Sequence, residues 1–237
     1  MEALAMESNK EKVESEKETT EALLAEGRVF RPLPQLVVDA NLDPNDYEDA
    51  LKQGRSDLEA FWGEAAQELH WFEQWNTVLD RSDAPFFKWF AGGKTNIAYN
   101  ALDRHVKTHR KNKVAIIFES ESGARERMTY YDLYRAANKF ANVLKSLGIK
   151  KGDRVAIYLP NIPEIAVVML GCAKMGAIHS VVYGGFSALA LRERINHAEA
   201  RLVVTVDGFH RNGKIMRRVL KARELGLKEG DLSTLED

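Results

Sequence analysis

Apolar residues between positions 129 and 148 recur at three- and four-residue spacing, as Leu133, Ala137, Phe140, Leu144 and Leu147. That is one face of an α-helix. Thr129, with Asp132 three positions on, opens it as a capping box, and Gly148 closes it. Around it, short apolar runs rich in β-branched residues predict strands over 114–118, 154–158, 177–183 and 202–206. Further helical patterns cover 163–174, which starts on Pro163 and closes at Gly176, and 187–197 and 215–225. The order is strand-helix repeated four times. The strands are nearly continuously apolar rather than alternating, which argues for a parallel sheet buried on both faces. Right-handed crossovers then give an α/β, doubly wound, mostly parallel sheet. Four such strands followed by a helix and no closing element make an incomplete body, so the chain is expected to continue in a longer parent.

The first half has a different character. All four tryptophans (Trp62, Trp71, Trp75, Trp89) lie between 27 and 110, with Phe61, Phe72, Phe86, Phe87 and Phe90 among them. Helices are predicted over 57–69 and 98–110, with Pro85 and the pair Gly92-Gly93 as punctuation. So much aromatic surface on short elements is expected to pack as a cap against a larger body. Residues 1–26 carry eight Glu against three Lys and few large apolar groups. Such a stretch buries too little to offset its ordering entropy, so a disordered acidic tail is expected, with a solvated helix as the other reading. The expected organisation is a tail over 1–26, a helical, aromatic-rich cap over 27–110, and the α/β part over 111–237.

Charge and composition narrow the class. A formal net charge of −1 gives no reason to expect nucleic acid or an anionic membrane as partner. The longest apolar run, 165–172, is too short to span a bilayer, and the N-terminus lacks the charge pattern of a signal peptide. Cys172 is the one cysteine, which excludes an internal disulfide and suits a reducing cytoplasm. The six histidines show no metal-ligand spacing. Cys172 reads as a packed helix residue, His179 as a core histidine, and Asp103-Arg104-His105 as a salt-linked helix end.

Two loops carry suggestive chemistry. In an open parallel sheet, ligands sit beyond the C-terminal strand ends. There the sequence places Tyr183-Gly184-Gly185-Phe186-Ser187, whose paired glycines allow close backbone approach before a helix start. A plain strand-to-helix turn capped by Ser187 is the alternative. The third glycine of a dinucleotide fingerprint is absent, which disfavours NAD. The second loop, 207–214, sets Arg211 and Lys214 among glycines at the mouth of the next strand. That suits a phosphate, with Arg211 as a fork and Lys214 as a point charge. A solvated polar loop is the competing reading.

In sequence order, W-F-E-Q-W-N-T-V-L-D (71–80), G-G-K-T-N-I-A-Y-N-A-L-D-R-H (92–105), K-G-D-R-V (151–155) and G-A-I-H-S-V-V-Y-G-G-F-S (176–187) are followed by T-V-D-G (205–208). With them the chain resembles the start of the AMP-forming acyl-CoA synthetase superfamily, in its acetyl- and propionyl-CoA synthetase branch. The resemblance implies a ligase segment. In the whole enzyme, acetate attacks ATP to give acetyl-AMP and pyrophosphate, and the CoA thiolate then displaces AMP. It implies that Gly184, Gly185, Arg211, Asn212, Gly213 and Lys214 help bind coenzyme A, the cations contacting phosphates of its nucleotide end. Relatives more often carry Arg where this chain has Lys214, which keeps the charge and loses bidentate reach. The family's Ser/Thr/Gly-rich ATP loop, its adenine-side segment and the small domain with a catalytic lysine are not present. No residue here is therefore assigned a catalytic role, and Mg²⁺ and ATP are expected to be handled by the remainder of the enzyme. A propionyl-CoA synthetase segment and a non-catalytic binding module stand as alternatives.

Overall fold

The computed structural model describes residues 27, 29–211 and 213–217. The expected acidic tail and most of the last predicted helix lie outside the described residues. The chain divides at Leu58 into two units.

In the first unit, α1 (Pro34–Val38) is exposed along its length, and α2 (Pro44–Ser56) is exposed except at half-buried Ala50, Leu51 and Gly54. The second is well punctuated. Asp43 accepts from the Asn45 and Asp46 N–H groups, and Asp46 accepts in return from the Asp43 N–H at 3.1 Å. Pro44 sits at the first turn, where no N–H is needed.

The second unit begins in α3 (Leu58–Ala65), which tightens into a 3₁₀ turn over Ala66–Glu68. Next comes an antiparallel hairpin of β1 (Thr77–Asp80) and β2 (Lys88–Ala91). The aromatic residues stack mainly on one another: Trp71 lies 4.8 Å from Trp75 and 5.4 Å from Phe90, and Trp62 lies 6.3 Å from Trp89. Phe72, Phe86 and Phe87 remain more than half exposed, so the packing expected of this region is only partial. The predicted 98–110 helix is three short pieces: a π-turn (Tyr99–Asp103), α4 (Arg104–Val106) and a 3₁₀ turn (His109–Asn112).

The α/β part keeps the predicted order with two departures, one at its start and one at its end. β3 (Val114–Glu119) does not join the parallel sheet; it pairs antiparallel with β4 (Arg125–Thr129). A five-residue connection can close a hairpin but is too short for a parallel crossover. α5 (Tyr130–Ser146) opens with the predicted box, the Thr129 side chain accepting from the Asp132 N–H and Asp132 from the Thr129 N–H. β5 (Arg154–Tyr158), β6 (Ile178–Val181) and β7 (Leu202–Thr205) form a three-stranded parallel sheet in the order β6-β5-β7. Their crossovers are α6 (Glu164–Met175) and α7 (Ala188–Ala198).

Alternation along β5 shows that both faces are covered. Val155, Ile157 and Leu159 join α5 and α6 in the main core, with Phe140, Leu144, Val168 and Cys172. Tyr158 points the other way, to Val182 and to Leu191 of α7. This is the doubly wound arrangement, on three parallel strands rather than four. The chain then turns back in a hairpin of β8 (Gly208–Arg211) and β9 (Lys214–Arg217), so a strand stands where a helix was predicted from residue 215.

Candidate functional site

Beyond the C-terminal ends of β5 and β6 lies an open cleft of about 540 Å³. Four segments line it: 159–162 after β5, 183–185 after β6, 118–121 at the tip of the β3/β4 hairpin, and 208–210 of β8. Gly184 and Gly185 are therefore where the sequence puts them, at the strand ends. Their loop is held from below. The buried Tyr158 hydroxyl donates to the Phe186 carbonyl at 2.9 Å and lies 3.4 Å from that of Gly184. From the side, the Arg194 guanidinium stands 4.1 Å over the Phe186 ring, and the Ser187 hydroxyl accepts from the Ala190 N–H to cap α7. Gly185 leaves room for the Tyr183 ring: a Cβ there would lie 2.4 Å from it, so the exposed ring would have to swing away.

The second predicted segment is a turn. Arg211 pairs with Lys214 across the β8/β9 hairpin, leaving Asn212-Gly213 as its two-residue connection. Gly213 adopts φ 69°, the left-handed conformation that such turns require and that glycine adopts freely. Asn-Gly between strand-forming residues is the strongest short hairpin signal in a sequence, so a hairpin rather than a loop leading into a helix is legible here. Lys214 is exposed beside the turn. Asn212 and the Arg211 side chain lie outside what is described. The cleft lining reaches His210 and stops short of Gly213 and Lys214, yet the turn is tied to the cleft: the Gly213 N–H donates to Glu121 Oε1 at 3.2 Å. Glu119, Glu121, Asn161 and His210 also line the cleft and had not been singled out as site residues.

The remaining candidates are structural. Asp103 accepts from the Lys174 ammonium at 2.6 Å, and that ammonium lies 4.9 Å from the Tyr134 ring. Asn96 caps the turn that follows through the Ala98 and Tyr99 N–H groups and donates to the Ala173 carbonyl at 2.8 Å. Asn100 is buried, accepts from the His70 N–H at 2.7 Å and donates to the His70 carbonyl at 3.0 Å. Within the 92–105 motif the two asparagines thus clamp backbone, while Asp103 pairs with a side chain of α6. Burial pushes the Cys172 thiol up to about 11, so it is a core residue with no thiolate to offer. His179 is half-buried on the edge strand β6. Among the described residues, no three His, Cys, Asp or Glu side chains come together as a metal site, and no helix is long and apolar enough to cross a membrane.

A doubly wound sheet with a glycine loop at its strand ends forms the kind of cleft in which open α/β folds bind their ligands. Residues 102–234 match the AMP-binding enzyme family, and the chain belongs to that family. Residues 47–101 match the acetyl-coenzyme A synthetase N-terminus. The chain is similar to the acetyl-coenzyme A synthetase of Wolinella succinogenes, at 55% identity over 171 residues, 71% of this chain and 26% of that protein. The acetyl-coenzyme A synthetase of Pyrobaculum arsenaticum is 52% identical over 174 residues, covering 70% and 26%. That of Chlorobaculum tepidum is 44% identical over 197 residues, covering 83% and 30%. The chain thus spans between a quarter and a third of the length of these relatives.

Proposed function

We propose that this chain is the N-terminal segment of an acetate–CoA ligase that makes acetyl-CoA, AMP and pyrophosphate from acetate, ATP and CoA by way of acetyl-adenylate. In this reading residues 1–26 are a tail, 27–110 the cap, and 111–237 the first part of the AMP-binding domain. The segment acts on the second half-reaction, by holding CoA. Gly184 and Gly185 let the ligand pass close to backbone, and the turn 211–214 offers Arg211, Lys214 and an N–H to phosphate oxygens. In the first half-reaction the acetate oxygen attacks the α-phosphorus of ATP, supplied as its Mg²⁺ complex, and pyrophosphate leaves. No residue of this segment is assigned to that step, and the segment alone is inactive. The observation that carries the reading is the strand-end cleft with the Gly184-Gly185 loop on its wall and the 211–214 turn tied to its rim through Glu121.

The test is made in the full-length protein that carries this segment. Arg211→Ala should weaken CoA binding by about 1.5–3 kcal/mol, the worth of a charge-assisted hydrogen bond, and dephospho-CoA by much less. Titration calorimetry with both ligands measures this, and equal losses would remove the phosphate role of Arg211.

A further inference from the structure

The bond between the two hairpin tips has a consequence for ligand choice. Glu121 Oε1 accepts from the Gly213 N–H at 3.2 Å, across 92 positions of sequence. That N–H is a backbone donor of the 211–214 turn, and on the phosphate reading of the turn the carboxylate oxygen occupies a donor that a phosphate oxygen would use. Both partners are exposed, so a ligand entering the cleft can reach this N–H in competition with the carboxylate. The neighbouring carboxylate is already matched: Glu119 accepts two bonds from Arg125, at 3.1 and 3.2 Å. The tip that carries Glu121 is a built turn. Ser120 Oγ accepts from the Ala124 N–H at 3.0 Å and lies 2.9 Å from Ser122 Oγ. Glu121 itself is exposed at the cleft margin, within reach of a ligand that enters there.

We propose that Glu121 is a specificity-determining residue of the cleft, competing with the anionic end of the ligand for the Gly213 N–H and repelling it when both are close. The inference rests on the reading of the 211–214 turn as a phosphate site. Glu121 then tempers affinity for the more highly charged ligand and speeds its release, without touching the reacting atoms. Glu121→Gln removes the charge and keeps the side-chain length, whereas Glu121→Ala removes both charge and acceptor.

The experiment is titration calorimetry of CoA and dephospho-CoA against the full-length wild-type protein and both variants, at low and high salt. Both variants should bind CoA about threefold to fivefold more tightly, the range of an exposed charge pair, and dephospho-CoA nearly as the wild type does. The gain should shrink at high salt, where exposed charges are screened. Wild-type preference for CoA with unchanged or weaker binding in the variants overturns the inference alone, as does an equal gain for both ligands. A wild type that binds CoA and dephospho-CoA equally overturns the phosphate reading, and the inference with it.

Discussion

Tyr158 sits on β5 with its ring in the smaller core and its hydroxyl reaching the carbonyls of the glycine loop. One residue thus couples the centre of the sheet to the cleft wall. Thr205 of β7 reinforces it by donating to the Tyr158 carbonyl at 3.1 Å. Removing the hydroxyl while keeping the ring deletes a bond worth about 0.5–1.5 kcal/mol and leaves the packing in place. On the proposed ligase function, Tyr158→Phe in the full-length protein is expected to raise KM for CoA by roughly threefold to tenfold on that scale. Acetate-dependent exchange of pyrophosphate into ATP, which proceeds without CoA, should keep its rate. A loss in both assays would mark Tyr158 as a general stability residue rather than one that positions the loop. Gly185 bears on the same wall from the other side, since a side chain there would displace the Tyr183 ring from its present position. The sequence offered Gly184-Gly185 openly, whereas the part played by Tyr158 depends on a contact 28 residues away that no local pattern encodes.

At the scale of elements, the 92–105 segment and α6 are joined by the Asp103–Lys174 ion pair, both of whose side chains are mostly buried. Breaking a buried pair by deleting one partner leaves an uncompensated charge, at about 3 kcal/mol or more, whereas replacing both partners by apolar groups is far milder. Lys174→Met should therefore destabilise by roughly 3 kcal/mol, and Asp103→Leu combined with Lys174→Met should recover most of that loss in urea denaturation. If the double variant is as unstable as the single one, specific hydrogen-bond geometry matters more than charge. The elements themselves were legible where a local rule was strong. The capping box placed α5, Ser187 placed α7, and Gly176 ended α6. Legibility failed for β4, whose Arg-Glu-Arg-Met-Thr sequence reads as a polar linker until β3 is present to pair with it. It failed again at β8/β9, where 215–225 has a helical apolar pattern although residues 214–217 pair as a strand. The 92–105 motif was visible as a string, but its purpose was not, because Asn96 and Asn100 bond to backbone 77 and 30 residues away.

On the scale of the whole molecule, four groups held away from their ordinary protonation lie in four separate parts, so acid should weaken several elements of the second unit together. Asp80 is lowered by the Ser82 hydrogen bonds and the charge of Lys88 in the β1/β2 hairpin. Asp132 is lowered by the Thr129 side chain and backbone at the cap of α5. Asp153 is lowered by the Lys150 N–H and by Arg201 at the entry to β5. His105 is lowered from 6.5 by burial, then by the charges of Arg104 and Arg110. All four bind protons less readily folded than unfolded, so acidification favours the unfolded chain in each case. For His105 the loss begins as pH falls through 6.5, its ordinary value, and is complete below the folded one. The carboxylates follow, their stabilisation being present above an ordinary value of about 3.9 and lost as pH falls through the lower folded values. The expected curve of Tm against pH has a shallow upper descent below neutrality and a steeper one in the carboxylate range. His105→Gln should flatten the upper limb and spare the lower. Asp153→Asn should lower Tm at neutral pH and reduce the slope of the lower limb, leaving the upper limb intact. A Tm that rises between pH 7 and 5 would mean that self-repulsion or groups outside these four govern stability there, and thermal scans of the wild type and the two variants decide between the two accounts.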